Sequence, residues 1–127
     1  MNPKTEEMLQ RTFDFGLDTL KFLMTLSKDK VFNILVFQLG KASTSLGSNY
    51  EEAQAAESSK DFNHKIGVVL KEIRKSNYWL RVLNKLIIEL DDELKRLLKE
   101  SFEFKKIFST IKIKTQQKIN NKKNKND

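Results

Sequence analysis

Few residues in this chain can do chemistry. His64 is the only histidine and there is no cysteine, so a Cys–His pair is excluded and a Ser–His–Asp arrangement would need His64. Asp61 precedes His64 by three residues, a spacing that can place two metal ligands on one helix face. Metal sites in helical bundles use two such pairs and further carboxylates, which one chain does not supply, although symmetry in an oligomer would multiply the pair. The sequence also has no glycine-rich phosphate loop and no zinc spacing, and we predict no enzyme activity, no metal and no cofactor.

A row of basic residues follows the same predicted helix. Steps of three and four residues connect His64, Gly67, Lys71, Arg74, Tyr78, Arg81 and Lys85, and Lys75 lies beside them. Arginine and lysine on one helix face can contact successive phosphates, and Tyr78 can stack on a base. The solvated outer face of a bundle has the same pattern, and Glu72 dilutes the positive charge. Two interpretations stay open: an RNA- or DNA-binding face, or ordinary solvent-exposed surface.

The net charge of +7 is concentrated near one end of the sequence. Residues 112–127 contain six lysines and one aspartate, whereas the rest of the chain has 18 basic and 16 acidic side chains. Residues 115–127 lack the apolar content to fold, so we predict a disordered Lys/Asn-rich tail. This tail is either a basic arm that attracts phosphates or a compositional product of A/T-rich codons.

The second predicted helix combines an apolar seam with unusually small neighbours. A seven-residue repeat connects Phe32, Leu35, Leu39, Ala42, Leu46, Asn49 and Ala53, the spacing of a helix packed against other helices. Gly40, Ser43 and Gly47 run beside this seam. A glycine inside a helix costs roughly 1 kcal/mol relative to alanine, so we expect a neighbouring helix to approach closely here. Along the polar side of this helix lie Lys41, Ser45, Asn49 and Glu52, and Trp79 flanks the seam of the third helix. We predict that all of these residues mediate helix packing or subunit contacts.

Four helices are predicted, at about residues 3–26, 30–56, 59–85 and 90–114, and they form one domain of residues 1–114. Asn2, Asp29 and Ser58 are the expected N-caps. The boundary before the fourth helix follows from Asn84-Lys85, which suits a helix end, and from Asp91-Asp-Glu93, which suits a helix start. On the first helix we place Leu9, Phe13, Leu17, Leu20 and Met24 toward the core. Phe15, Phe22 and Leu26 widen this stripe, which indicates contacts on two sides. The fold class is an all-α, antiparallel up-and-down four-helix bundle that assembles into a homo-oligomer.

The composition favours a soluble, cytoplasmic protein. The lack of cysteine fits a reducing compartment, and Lys4, Glu6 and Glu7 interrupt any signal-peptide core. An uncharged run of ten residues separates Lys30 from Lys41, about half the length that a membrane-spanning helix needs. We therefore expect no membrane partner.

With these residues in view, the chain resembles the small bacterial four-helix-bundle proteins first noticed as reading frames in intervening sequences of 23S rRNA genes. The matching elements are Gln38-Leu39, Lys41, Thr44-Ser-Leu-Gly-Ser-Asn-Tyr-Glu-Glu-Ala53, Ser58-Ser-Lys-Asp-Phe62, His64-Lys65, Glu72 and Tyr78-Trp-Leu80. They cover roughly residues 6–112. The chain departs from the family pattern at Lys41, where arginine is usual, at Gly40, where a bulky residue is usual, and before the fourth helix, where a glycine is often present.

The resemblance implies a homopentamer of antiparallel bundles whose function is largely undefined. A related branch is the accessory protein of diversity-generating retroelements, which works with a reverse transcriptase and nucleic acid. Our leading hypothesis is accordingly a non-enzymatic, oligomeric structural or interaction protein whose main partner is itself. The alternative is an RNA- or DNA-binding accessory module that uses the basic face of Lys71, Arg74, Lys75, Tyr78, Arg81 and Lys85 together with the basic tail.

Overall fold

A computed structural model describes residues 1–126, which form four helices and contain no strand. The helices are α1 (Pro3–Leu23), α2 (Lys30–Ala53), α3 (Ser59–Leu86) and α4 (Asp92–Asn126). The all-α class with four helices is therefore confirmed. Compared with the predicted bounds, α1 and α2 each end three residues earlier, α3 ends one residue later, and α4 begins two residues later.

Each helix begins at a polar side chain that caps it. Side-chain oxygens of Asn2, Asp29, Ser58 and Asp91 accept hydrogen bonds of 2.7–3.1 Å from backbone amides two or three residues later. Pro3 occupies the first turn of α1, where its missing amide costs nothing. Capping of this kind satisfies amides that have no partner inside the helix. The local sequence therefore determines where the helices start.

Contacts between distant residues define how the helices pack. α1 lies against α2, α2 against α3, and α3 against α4, while the seam between α1 and α4 is thinner. Position 47 on α2 is close to Thr12 on α1, whereas position 40 is close to Leu20, so α1 and α2 run antiparallel. No helix within residues 1–126 is both long enough and apolar enough to cross a membrane.

The pairing of α3 with α4 is also antiparallel. Lys112 Nζ donates a hydrogen bond of 2.7 Å to the backbone carbonyl of Asn63, and the Asn77 side chain donates one of 3.0 Å to Ser101 Oγ. As the residue numbers rise along α3 they fall along α4, which is the signature of antiparallel neighbours. Asn77 and Ser101 are buried, so their hydrogen bond lies inside the bundle.

The core is continuous along the bundle and contains the edge-on aromatic pairs Phe15–Phe104 and Tyr50–Phe108. Their ring centroids lie 5.4 Å and 5.0 Å apart, and edge-to-face pairs of this kind contribute about 0.5–1.5 kcal/mol beyond area burial. Burial also raises the pKa of the Tyr50 hydroxyl. The seam predicted for α2, together with rows on α3 and α4 that also repeat at steps of three and four, supplies most of the fully buried side chains.

The predicted core side of α1 is wrong. Phe13, Leu17, Leu20 and Met24 are 40–82% exposed, and the buried residues of α1 are Met8, Thr12, Phe15, Gly16, Thr19, Phe22 and Leu23. The true seam advances in steps of three and four like the predicted one, but two of its positions are threonines. A hydrophobic pattern does not count threonine, so it favours the more continuous row of large apolar residues over the row that is buried.

The structure also differs from the prediction of a disordered tail. α4 continues to Asn126, and Asp127 lies outside the described residues. The segment after residue 114 contains neither glycine nor proline, so nothing in it forces the helix to stop. Thr115 and Ile119 are partly buried, and Lys123 and Lys125 lie in the last turn, where positive charge interacts favourably with the helix dipole.

Candidate assembly face and basic helix face

The closest approach between helices is a crossing of α1 and α2. A methyl group at Gly47 would lie 3.1 Å from the backbone oxygen of Thr12, and one at Gly16 would lie 3.0 Å from the backbone oxygen of Ser43. A side chain at either glycine would therefore require the facing backbone to shift by a few tenths of an ångström. The predicted close approach occurs at Gly47, and its partner is α1 of the same chain. Gly16 was missed, although it is the one glycine in the predicted first helix.

Gly40 does not take part in this close approach. A methyl group there would be 3.5 Å from Leu20 Cδ2 and 3.7 Å from Leu23 Cδ1, which is ordinary van der Waals contact. The expectation that Gly40 is required by backbone proximity is therefore wrong. Ser43 lies between the two glycines of α2, is fully buried, and its hydroxyl donates to the Gly40 carbonyl over 3.3 Å.

The predicted polar line on α2 lies at the surface of the single chain. Lys41 and Glu52 are exposed, and Ser45 and Asn49 are partly buried. The Asn49 side chain donates a hydrogen bond of 2.8 Å to the Ser45 carbonyl within the same helix. Trp79 is partly buried against the core, and its ring meets the Tyr78 ring edge-on at 5.1 Å. Within one chain, these residues do not converge on a common site.

One side of the bundle exposes an unusual amount of apolar surface. We call it the α1–α2 apolar face; its members are Phe13, Leu17, Leu20, Met24, Val31, Ile34 and Phe37, each 40–82% exposed. A shallow groove of about 360 Å³ runs between α1 and α2 at the glycine crossing. Phe13, Leu17 and Leu20 line this groove together, and exposed apolar patches of this kind mark interaction surfaces. Sequence reasoning found four of these residues but placed them in the core.

The basic residues predicted on α3 share an exposed face. Lys71, Arg74, Lys75, Arg81 and Lys85 are exposed, and Tyr78 is about half exposed. The Arg81 guanidinium lies 5.8 Å from the centre of the Tyr78 ring and donates to the Asn77 side chain over 3.0 Å. Lys75 pairs with Glu72 at 3.3 Å, so part of the positive charge is neutralised. We call this surface the basic α3 face.

A second basic surface lies where α4 passes the start of α3. Lys60 and the α4 residues Lys118, Lys122, Lys123 and Lys125 line an open groove that also includes Glu57, Ser58 and Ser59. The basic α3 face and this groove both include α3 residues, because Ser59 and Lys60 in the groove begin that helix. The sequence had assigned the tail lysines to a disordered arm, whereas the structure places them on a helix.

Asp61 is engaged in local structure. Its carboxylate accepts hydrogen bonds from Lys65 Nζ at 2.8 Å and from the Glu57 amide at 3.1 Å, and these interactions lower the pKa of Asp61. His64 is exposed. Among residues 1–126, no group of three or more histidine or acidic side chains is placed to hold a metal ion.

The comparisons with known proteins agree with this architecture. The sequence profile described as 23S rRNA-intervening sequence protein matches residues 4–110. The chain belongs to this family. The resemblance drawn from the sequence is thereby confirmed, and the match ends before the last part of α4.

A solved structure extends the agreement to the fold. A Bacteroides thetaiotaomicron protein, described as having unknown function and coming from the S23 ribosomal protein family, superposes with a TM-score of 0.75. The two sequences are 24% identical, and the likeness covers 85% of this chain and 96% of the other. No curated protein matches the sequence. The family and its solved relative thus establish a four-helix bundle without assigning an activity.

Proposed function

We propose that this chain is a non-enzymatic structural or interaction protein that acts as a homo-oligomer of up-and-down bundles. The observation that carries the proposal is the α1–α2 apolar face. Seven large apolar side chains of α1 and α2 are exposed, and three of them line one groove, although other residues of both helices already fill the core. Burying apolar surface contributes about 25 cal/mol per Å². The free energy of association would therefore favour a second chain that covers this face. The family resemblance favours five subunits.

The wide apolar stripe of α1 supports the same conclusion. One row, which includes Phe15 and Phe22, fills the core, and a second row, which includes Phe13 and Leu20, stays outside. A helix that is apolar on two sides is typical of an element with neighbours on both. Within the proposal, the second set of neighbours belongs to other subunits.

Light scattering after size-exclusion chromatography tests the proposal. We expect the natural chain to have a mass that is a multiple of 14.9 kDa. The double variant Leu20→Glu/Phe37→Glu should fall to the mass of one chain with its helical circular dichroism intact, because two charges would be buried in the interface. The matched control is Phe102→Glu/Ile113→Glu, which alters two α4 residues of similar exposure, 43% and 59%, and should keep the oligomeric mass. A monomeric natural chain would refute the proposal.

A second candidate function is binding of single-stranded RNA or DNA by the basic α3 face and the α4 lysines. The specific observation is that five basic side chains and Tyr78 lie on one exposed side of α3. Phosphate contacts make affinity fall steeply with salt. Fluorescence anisotropy with a labelled oligonucleotide at several salt concentrations would measure this dependence.

Charge reversal separates this function from nonspecific attraction. We expect Lys71→Glu/Arg74→Glu/Arg81→Glu to abolish binding. The control reverses three exposed α4 lysines, Lys95, Lys99 and Lys106, which changes the net charge equally. If the two variants lose the same affinity, only net charge matters and the basic α3 face has no specific role. Removal of residues 115–127 tests the contribution of the α4 lysines separately.

A further inference from the structure

The linker between α3 and α4 carries apolar side chains that point away from its own bundle. Ile88 is 99% exposed and Leu90 is 83% exposed, and Leu86, the last residue of α3, is 45% exposed. The linker is nevertheless anchored at both ends. The Ile87 amide donates to the Leu83 carbonyl over 3.0 Å, the Ile87 side chain is partly buried on the core, and Asp91 caps α4. A short anchored linker with two protruding apolar side chains is a suitable shape for docking into another surface.

Charge distinguishes the linker from the α1–α2 apolar face. Glu89 and Asp92 are exposed beside the linker's apolar residues, whereas the exposed Lys85 and Lys95 lie on the flanking helices α3 and α4. Lys21, Lys28 and Lys30 are exposed around the near end of the apolar face, where Asp29 is already engaged in capping α2. The acidic linker and the lysine-edged face therefore attract each other, whereas two copies of the apolar face would bring lysines together.

Position within the bundle makes the two surfaces compatible. The C-terminus of α1, the N-terminus of α2 and the α3–α4 linker all lie at the same end, as the Asp18–Arg96 ion pair of 2.9 Å between α1 and α4 illustrates. The linker joins α3 to α4, and the apolar face is formed by the other helix pair, α1 and α2. Two adjacent chains can therefore bring these surfaces together without sliding along the bundle axis.

We propose that the α3–α4 linker of each chain docks on the α1–α2 apolar face of the next chain, so that the assembly is head-to-tail. The occupant of the apolar face is thus a second copy of this chain, with Ile88 and Leu90 as the docking side chains. Contacts between two different patches produce closed rings when the rotation closes, and filaments when it does not. Because both patches lie at one end of the bundle, the arrangement favours a ring. This inference rests on the proposed homo-oligomer and specifies its interface.

Engineered cysteines test the arrangement directly, since the natural chain has none. Met24→Cys and Ile88→Cys are placed in separately tagged chains, co-expressed, and treated with a short thiol cross-linker. Head-to-tail docking predicts a dimer that contains both tags and little cross-linking of either variant with itself. The double variant Met24→Cys/Ile88→Cys should give a ladder that ends at the full oligomer. A control pair, Met24→Cys with Lys71→Cys on the basic α3 face, should give no dimer.

The outcomes separate this inference from the proposed function. If the oligomeric mass is retained but positions 24 and 88 do not cross-link, the linker is not the docking element and the homo-oligomer stands. Efficient cross-linking of Met24→Cys with itself would instead show a face-to-face dimer and overturn the inference. A mass of one chain would remove the homo-oligomer itself.

A charge exchange gives an independent measurement. Glu89→Lys should raise the concentration at which the oligomer dissociates several-fold, and adding Lys28→Glu to the same chain should restore it. Glu7→Lys, which reverses an exposed acid on α1 near the opposite end, should have no such effect. The proposed pairing of the acidic linker with the lysine-edged face would be contradicted if Glu89→Lys and Glu7→Lys had equal effects. It would also be contradicted if Lys28→Glu failed to restore the Glu89→Lys oligomer.

Discussion

Replacing each α2 glycine by alanine should have opposite effects on stability. Alanine in a helix interior gains about 1 kcal/mol over glycine. At position 40 the new methyl group meets only Leu20 and Leu23 side chains at 3.5 and 3.7 Å, so we expect Gly40→Ala to increase the free energy of unfolding by nearly that amount. At position 47 the methyl group would lie 3.1 Å from the Thr12 carbonyl oxygen. A backbone atom of a packed helix cannot relieve this contact by changing rotamer, as a side chain can.

The cost at position 47 is that of overpacking, about 1–3 kcal/mol, and it outweighs the helix-propensity gain. Gly47→Ala should therefore be less stable than the natural chain, and the two variants should differ by about 2 kcal/mol. Gly16→Ala should follow Gly47→Ala, because its methyl group would lie 3.0 Å from the Ser43 carbonyl oxygen. The three substitutions are chemically identical, which makes the local distance the only variable.

Urea unfolding followed by circular dichroism at 222 nm measures these differences. All variants must be compared at one protein concentration, since self-association adds to the apparent stability of an oligomer. Light scattering on the same samples shows whether assembly changes. If Gly47→Ala proved as stable as Gly40→Ala, the close contact of the α1 and α2 backbones would not constrain this position, and the reasoning about the crossing would fail.

Three further predictions concern polar contacts. Arg11 on α1 and Glu100 on α4 form a partly buried ion pair. A double-mutant cycle to alanine should give a coupling free energy of about 1 kcal/mol that becomes smaller in 1 M NaCl. A coupling free energy unchanged by salt would count against an electrostatic attraction between the two helices. Ser101→Ala removes the acceptor of the buried Asn77 amide and should cost about 1–3 kcal/mol in urea unfolding, unlike Ser101→Thr, which keeps the hydroxyl. Ser58→Ala removes the α3 cap and should lower the free energy of unfolding by about 1 kcal/mol. Ser59→Ala, which alters the neighbouring serine, should change it little. Equal losses for the two variants would show that the Ser58 cap does not stabilise α3.

Much of the fold could be predicted because the signals were local. Capping residues stand directly before α1, α2 and α3, and the apolar repeats of α2, α3 and α4 have one continuous row each. Those rows are buried in the structure, from Leu39 and Leu46 on α2 to Phe104 and Phe108 on α4. The exposed basic α3 face follows from the same repeat, since residues opposite a buried seam must face outward.

The candidate interface was harder to predict because it depends on tertiary packing. Ile87 and Leu90 continue the α3 row at steps of three and four, whereas Ile88 lies beside that row, and the break between the helices leaves Leu90 outside the core. Periodicity does not reveal that Ile87 anchors the linker while the next residue, Ile88, is fully exposed. The end of α4 was missed for a different reason: composition alone argued for disorder, whereas Thr115 and Ile119 find partial burial.

The orientation of α1 shows how one small residue decides between two acceptable cores. Either row of α1 satisfies a heptad, and the row with Phe13, Leu17 and Leu20 is the more hydrophobic. Only the row with Gly16 lets the α1 backbone reach α2, because Gly16 and Gly47 lie on the facing sides of the two helices. Once that crossing forms, Phe15 and Phe22 turn inward and the more hydrophobic row is left outside. In the proposed homo-oligomer this exposed row is the surface that a second chain covers, so the glycine crossing inside one subunit would set the surface available for assembly.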